Sequence, residues 1–405
     1  MNYNAAMEKL KKYGQEHVLK YYDELPDEQR NTLIEQIDRT DFTVIGQAAE
    51  MGKRGTIAPI KAMTIPEIAM GRERFEHIGM EAIKAGKLGA VLLAGGMGTR
   101  LGSDAPKGMY DIGISKPVYI FQRLIENLMK VVEKAGNYIQ LFVMTSEKNH
   151  DATVGFFKEH DYFGYDKDYI AFFKQDMAPA ADFDGKVYME AKDSIATSPN
   201  GNGGWFLSMK KSGLLELVEK RGIEWLNVFA VDNVLQSIAD PVFAGAVLEG
   251  GYSVGSKVIR KVNPQEKVGV MCTEDGRPSI VEYIELTEDM LTQRDENGEY
   301  AYNFGVILNY LFKVDKLVNL LERKLPYHKS AKKIPYINEA GELVKPEEPN
   351  GYKYEQFILD MIQLLDSCLP FEVVREKEFA PIKNKTGADS VESARELLRE
   401  NGIEL

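Results

Sequence analysis

No stretch of this sequence is apolar for long enough to cross a membrane, and Met1 to Lys12 lacks the apolar core of a secretory signal. Cysteine is scarce. Cys272 and Cys368 lie far apart without C-x-x-C spacing, which excludes a disulfide framework or a cysteine zinc site and fits a reducing compartment. The five histidines, His17, His77, His150, His160 and His328, show no metal-ligand spacing and read as surface or structural residues. Positive charge is in deficit: the net charge of −12 argues against a nucleic-acid-binding surface. The expectation is a cytoplasmic protein with neither nucleic acid nor membrane as partner. There is no internal repeat and no low-complexity segment. Against such a negative field, any local cluster of cations is informative.

What is present is a soluble globular composition, 44% hydrophobic and 28% charged over 405 residues, enough for a large core and more than one lobe. Asn4 to Asp38 carries apolar residues at helical spacing on either side of Pro26, and Ile65 to Ala85 reads as a further helix. From there short apolar runs alternate with helical patterns. Strands are predicted at 90–94, 141–144, 171–173 and 225–231, and helices at 118–135, 150–160 and 205–221. That alternation predicts an α/β fold with a parallel sheet and helices on both faces, its ligands beyond the carboxyl ends of the strands. After Gly255 the pattern is richer in strands, at 258–259, 268–271, 280–284 and 301–308. Lys329 to Tyr352 reads as a long loop, Tyr354 to Leu365 as a helix, Phe371 to Arg375 as a strand, and Ser390 to Asn401 as a closing helix.

The chain is organised around Leu88 to Gly113. Its apolar run ends in Leu93 and Ala94, and Gly95, Gly96 and Gly98 follow at once, with Arg100, Pro106 and Lys107 beyond. A glycine turn after a strand lets backbone N–H groups approach phosphate oxygens, and the two cations make it a triphosphate cradle. The dinucleotide fingerprint is excluded because Gly96, Gly98 and Gly102 are spaced one residue too long; the P-loop is excluded because Lys107 is followed by Gly108. Four other positions carry chemistry at the expected strand ends and turns. Gln175 offers a donor and an acceptor suited to a uracil imide, or is a merely solvated strand end. Pro199 to Gly204 is a second glycine turn, either a nucleotide or sugar contact or simply a helix start. Asp232 ends a buried strand as a carboxylate suited to magnesium, or forms a turn with Asn233. Glu282, read as lying in an apolar strand beside Gly269, must be satisfied by sugar hydroxyls or by backbone N–H groups.

The string G-G-M-G-T-R-L-G…P-K-G-M-Y-D-I-G resembles the signature loop of the sugar nucleotidyltransferases, in the wording of the UDP-N-acetylglucosamine pyrophosphorylase branch of the UTP-dependent uridylyltransferases. The resemblance continues in order through F-F-K-Q-D-M-A-P-A, S-P-N-G-N-G-G, V-D-N, A-D-P, N-P-Q-E-K-V-G-V, V-E-Y, K-K-I-P-Y and F-A-P-I-K-N. It implies a Rossmann-like, mixed but mainly parallel sheet flanked by helices. The implied segments are an N-terminal helical part over 1–85, a catalytic domain over 86–385 and a C-terminal helix over 386–405, without the full C-terminal domain of longer members. It also implies that Leu93, Gly95, Gly96, Gln175, Gly201 and Asn202 hold the nucleotide. Arg100, Lys107 and Lys383 would neutralise phosphates as the catalytic cations, and Asp232 would meet Mg2+. Asn202, Gly269, Glu282, Val306 and Phe357 would face the sugar.

The reaction implied joins UTP to a sugar 1-phosphate, giving a UDP-sugar and pyrophosphate. The sugar phosphate is already an anionic nucleophile, so the task is in-line alignment and charge neutralisation rather than general-base chemistry. Three departures fall near the sugar side. Asn303-Phe304-Gly305-Val306 stands where the pattern reads N-A-G-N, Leu359 replaces an aromatic residue, and Met97 replaces a glutamine. The overall resemblance ranks N-acetylglucosamine 1-phosphate first, these departures bring glucose 1-phosphate in as the alternative, and a non-catalytic nucleotide-sugar-binding regulator is the alternative of another class.

Overall fold

A computed structural model describes residues 1–47, 54–323 and 325–405, which fall into two compact units. The division does not follow the 1–85, 86–385 and 386–405 segmentation. Residues 1–47 pack with 176–204 and 325–360, whereas the helices Ile65–Lys84 and Val391–Glu400 belong to the larger unit.

The larger unit is built on a ten-stranded sheet. In chain order its strands are β1 (Ile57–Pro59), β2 (Leu88–Leu93), β3 (Gln140–Thr145), β4 (Ile170–Lys174), β5 (Trp225–Ala230), β6 (Val254–Arg260), β7 (Val270–Glu274), β8 (Arg277–Val281), β9 (Phe304–Lys313) and β10 (Cys368–Glu372). The parallel set runs β5-β2-β3-β4, and β6 pairs in parallel with β10. β9 runs antiparallel to both β5 and β6, and β7 antiparallel to β1, β8 and β9. Every residue of β2 and β3 is buried, as expected of parallel strands covered on both faces. This is the α/β architecture read from the alternating pattern.

Helix Ile65–Lys84 begins at Thr64, whose N–H donates to the Glu67 carboxylate at 2.7 Å. It crosses helix Pro241–Glu249 at backbone contact. A Cβ on Gly79 would stand 1.9 Å from the Pro241 carbonyl oxygen, and one on Gly245 would stand 1.8 Å from that of Phe75. Cys272 and Cys368 are buried free thiols; burial pushes Cys272 up to about 12 and Cys368 higher still. No helix among the described residues is long and apolar enough to cross a membrane.

In the smaller unit, helices Tyr3–Lys12 and Asp27–Arg39 bury Leu10, Leu33 and Ile37 with Val187, Met189 and Ile195. Gln15 donates to the Gly185 carbonyl at 2.8 Å, a ring nitrogen of His17 lies 2.8 Å from the Val187 carbonyl, and the Tyr21 hydroxyl donates to that of Asn338 at 3.0 Å. His17 is thus structural, as read.

Four element assignments need correction. Lys329–Tyr352 is not a loop throughout: His328–Lys332 pairs with Gly351–Glu355, which also pairs with Ala181–Asp182. The 354–365 helix is only Ile358–Gln363, because Gly351–Glu355 is spent on that sheet. The helix expected over 205–221 is two, Trp205–Lys211 and Leu214–Lys220, broken where Gly213 takes φ +73°. Finally, β10 ends at Glu372, and Arg375 opens a helical turn.

Candidate active site

The chain leaves β2 at Leu93, and the Ala94 N–H extends the ladder by donating to the Met144 carbonyl at 2.8 Å. The glycine loop then folds into an arch, closed by Gly98 N–H to Ala105 O at 2.8 Å and Lys107 N–H to Gly96 O at 3.1 Å. The arch returns Lys107 to the level of Gly96, although ten residues of sequence lie between them. Buried Asn149 holds it from below, donating to the Ala94 carbonyl at 2.9 Å while its own oxygen accepts from Ser146 N–H at 2.7 Å. A Cβ on Gly96 would meet nothing within 4 Å, so space lies open beside this backbone. A Cβ on Gly95 would stand 2.9 Å from Gln175 Oε1, so only glycine leaves the glutamine where it is. Gln175 is 7% exposed and its N–H donates to Thr145 O at 2.7 Å; the solvated-strand-end reading is excluded.

Two motifs far apart in sequence meet after β5. The Ile382 N–H donates to the Asp232 carbonyl at 2.8 Å, Ala380 N–H to Asn233 Oδ1 at 2.9 Å, and Asn233 Nδ2 to the Glu378 carbonyl at 2.8 Å. Lys383 follows directly, so V-D-N and F-A-P-I-K-N bring Asp232 and Lys383 to one place. Burial pulls the half-buried Lys107 ammonium below the usual lysine value; Asp232 opposes that pull, and Arg100 and Lys383 add to it. Three of the charges expected at one site thus lie close enough to Lys107 to act on it. Lys383 Nζ also pairs with Asp389 at 2.9 Å.

A second group of predicted residues gathers around Gly269. The Val306 N–H donates to its carbonyl at 2.9 Å, and a Cβ on Gly269 would stand 3.4 Å from Val306 Cγ2 and 3.6 Å from Glu282 Oε1. Glu282 does not lie inside the strand as expected, because β8 ends at Val281. Burial raises its carboxyl above the usual glutamate value, as does Glu285, against the pull of Arg54. Arg54 in turn bridges Glu274 and Glu285, each at 2.8 Å, and Glu285 accepts the Glu282 N–H at 2.9 Å.

The remaining predicted residues lie in the smaller unit. Gly201 takes φ +85°, and a Cβ there would lie 2.3 Å from the Gln356 carbonyl oxygen. That carbonyl accepts from Gly203 N–H at 2.8 Å, and Asn202 Oδ1 accepts from Ile358 N–H at 3.0 Å. Between these bonds sits Phe357, whose ring centroid is 5.0 Å from that of His328; Asp360 Oδ2 lies 2.9 Å from His328 Nε2 and accepts Phe357 N–H at 3.1 Å. Gly201, Asn202 and Phe357 thus form one local assembly.

Three residues were not foreseen. Asn149 looks in sequence like any residue before a helix, Asn233 like half of a turn, and Asp389 like a solvated charge. Only the partner of each, distant in sequence for the first two, reveals its role. Among the described residues no three His, Cys, Asp or Glu side chains gather as a metal cluster. Asp232 is the carboxylate that acts on Lys107 there, while Asp389 pairs with Lys383.

Comparison with known proteins gives the family. The family model of UTP–glucose-1-phosphate uridylyltransferase matches residues 53–402. The chain is 36% identical over 406 residues to UDP-N-acetylhexosamine pyrophosphorylase-like protein 1 of Mus musculus, covering 94% of this chain and 80% of that one. It is 38% identical over 425 residues to UDP-N-acetylglucosamine diphosphorylase 2 of Arabidopsis thaliana, covering 98% and 83%. A solved structure of UDP-N-acetylglucosamine pyrophosphorylase from Trypanosoma brucei, in complex with inhibitor, matches with a TM-score of 0.85 at 28% identity, over 98% of this chain and 84% of that one. A family match over most of the chain, on a parallel sheet that presents the glycine arch and its cations at strand ends, leads to one conclusion: the chain belongs to the UTP–glucose-1-phosphate uridylyltransferase family.

Proposed function

We propose that the protein joins UTP to N-acetylglucosamine 1-phosphate, yielding UDP-N-acetylglucosamine and pyrophosphate. The observation that carries this reading is the glycine arch, which returns Lys107 to open backbone at Gly96, together with the joint that brings Asp232 and Lys383 to one place. The names of the Arabidopsis and Trypanosoma relatives support the N-acetylated sugar.

A phosphate oxygen of the sugar 1-phosphate attacks the α-phosphorus of UTP, and the bond from that phosphorus to the bridging β-oxygen breaks with pyrophosphate leaving. The N–H groups at Gly95 and Gly96 receive phosphate oxygens, and Gln175 offers its amide to the uracil edge. Arg100 and Lys107 offset charge on the triphosphate. Lys383 does the same after exchanging Asp389 for a phosphate oxygen. Asp232 suits magnesium, a hard cation that needs few protein oxygens and takes the rest from phosphate and water. When bound, magnesium would neutralise phosphate charge there. Within the larger unit, Gly269 and Glu282 are assigned to the sugar hydroxyls and Leu93 to the nucleotide. The buried free thiols of Cys272 and Cys368 support a reducing, cytoplasmic setting.

A second substrate is favoured by one observation. Val306 presents an apolar side chain within reach of Gly269 and Glu282, so glucose 1-phosphate ranks close behind. Pyrophosphate release with UTP, magnesium and a panel of sugar 1-phosphates tests both. No release with any sugar would leave a binding regulator instead.

A further inference from the structure

The larger unit completely buries Lys257, a cation that the chemistry above leaves unused. Lys257, on β6, is 0% exposed, and its ammonium lies 3.0 Å from Asp240 Oδ2, 3.0 and 3.1 Å from the two Glu378 carboxylate oxygens, and 3.2 Å from the Ser237 carbonyl. Glu378 also accepts the Ser237 N–H at 2.8 Å, and Asp240 caps helix Pro241–Glu249 by accepting Val242 N–H at 2.9 Å. One ammonium thus gathers two carboxylates and a carbonyl out of water. A well-packed apolar group would stabilise the fold as well as such a cluster, so its value lies in fixing geometry.

The segment it anchors leads to Lys383. Glu378 begins the segment that ends in Lys383, and from its carbonyl the bonds run through Asn233 to Ala380 and from Ile382 to Asp232. Ser237 lies five residues beyond Asp232 on the other side of the same joint. Buried amides clamp that side too: Gln236 donates to the Ala230 and Asn233 carbonyls, both at 2.8 Å, and Asn127 to those of Val234 and Gln236, both at 3.1 Å.

We propose that Lys257 and Glu378 are positioning residues, and that their buried ion pair sets where the Lys383 ammonium stands relative to Asp232. The proposal rests on the phosphate-binding role read for Lys383. Displacement of a catalytic group by about 1 Å can cost on the order of 10²-fold in rate. Glu378→Gln keeps the size and the acceptor for Ser237 while removing the charge that holds Lys257.

The test is a double-mutant cycle on kcat and KM for UTP with Glu378→Gln, Lys383→Ala and both together, with Tm measured alongside. Glu378→Gln alone is expected to lower kcat by about 10–100-fold with a smaller change in KM. In the Lys383→Ala background it is expected to lower kcat no further. Independent losses that multiply in the double variant would overturn the proposal and leave the cluster a scaffold. Normal turnover in Lys383→Ala alone would instead refute the lysine's role, and the proposal with it. Glu378→Asp retains the charge with a shorter reach, and it runs the same cycle should Glu378→Gln not fold.

Discussion

Gly95→Ala isolates the glutamine assigned to the uracil. The new Cβ would stand 2.9 Å from Gln175 Oε1, whereas ordinary van der Waals contact begins near 3.4 Å. The next neighbour, Ser146, is at 3.7 Å and has no need to move. The strain therefore falls on the far end of one side chain, which retreats by the difference, about 0.5 Å. That shift takes a hydrogen bond of ordinary length, about 2.9 Å, past the useful range of about 3.2 Å. A uracil group left unpaired would cost ~1–3 kcal/mol, about 5–150-fold in affinity. The loss should appear in KM for UTP with kcat nearly unchanged, since the uracil contact is the same in ground and transition states. Tm should stay within a degree or two of the parent. Gln175→Ala should show the same loss, and the double variant no more than either alone. Steady-state pyrophosphate release over a UTP titration reads all three. Losses that multiply, or a parental KM in Gly95→Ala, would refute the assignment of Gln175 to the base.

Lys107→Ala should lower kcat more than it raises KM, by ~2–4 kcal/mol of transition-state stabilisation; near-parental turnover would make it an ordinary charge. Its depressed pKa also fixes the sign of a pH effect. Between that lowered value and the usual lysine value, the folded state binds fewer protons than the unfolded one, so this group's contribution to stability rises with pH. Over the same window turnover should fall as the cation is lost, and a turnover that rises together with Tm would contradict it. Asp232→Asn should weaken the dependence on magnesium with the fold intact, and an unchanged magnesium titration would move the metal elsewhere. Val306→Asn should shift kcat/KM toward the N-acetylated sugar 1-phosphate, and an unchanged ratio would mean that this side chain does not face the sugar.

The parallel half of the sheet was legible because β2, β3 and β5 are apolar runs bounded by glycine, threonine or aspartate, with helical patterns between. His328–Lys332 was not, since only its pairing with Gly351–Glu355 makes a strand of a half-exposed polar sequence. The break at Gly213 was missed because a glycine inside a helical pattern is usually tolerated, and only its left-handed φ ends the helix. In the site, residue types with chemical meaning were readable from motifs: Gly95, Gln175, Asp232 and Lys383. Their supports were not. Asn149, Asn233 and Lys257 act through backbone carbonyls and buried carboxylates that no local pattern announces.

The smaller unit draws its interior from stretches separated by most of the chain, and this bears on how the molecule is made. Tyr21 bonds to the Asn338 carbonyl, 317 residues later. At about 5–20 residues per second, a ribosome takes roughly 15–60 s to deliver the second partner after the first. Until Val187, Met189 and Ile195 follow, Leu10, Leu33 and Ile37 have only apolar neighbours such as Val18, Leu25 and Phe42 to cover them, and two short helices are marginal alone. The helices Tyr3–Lys12 and Asp27–Arg39 therefore wait for partners made much later. Slowing synthesis between Phe42 and Val187 would lengthen that wait.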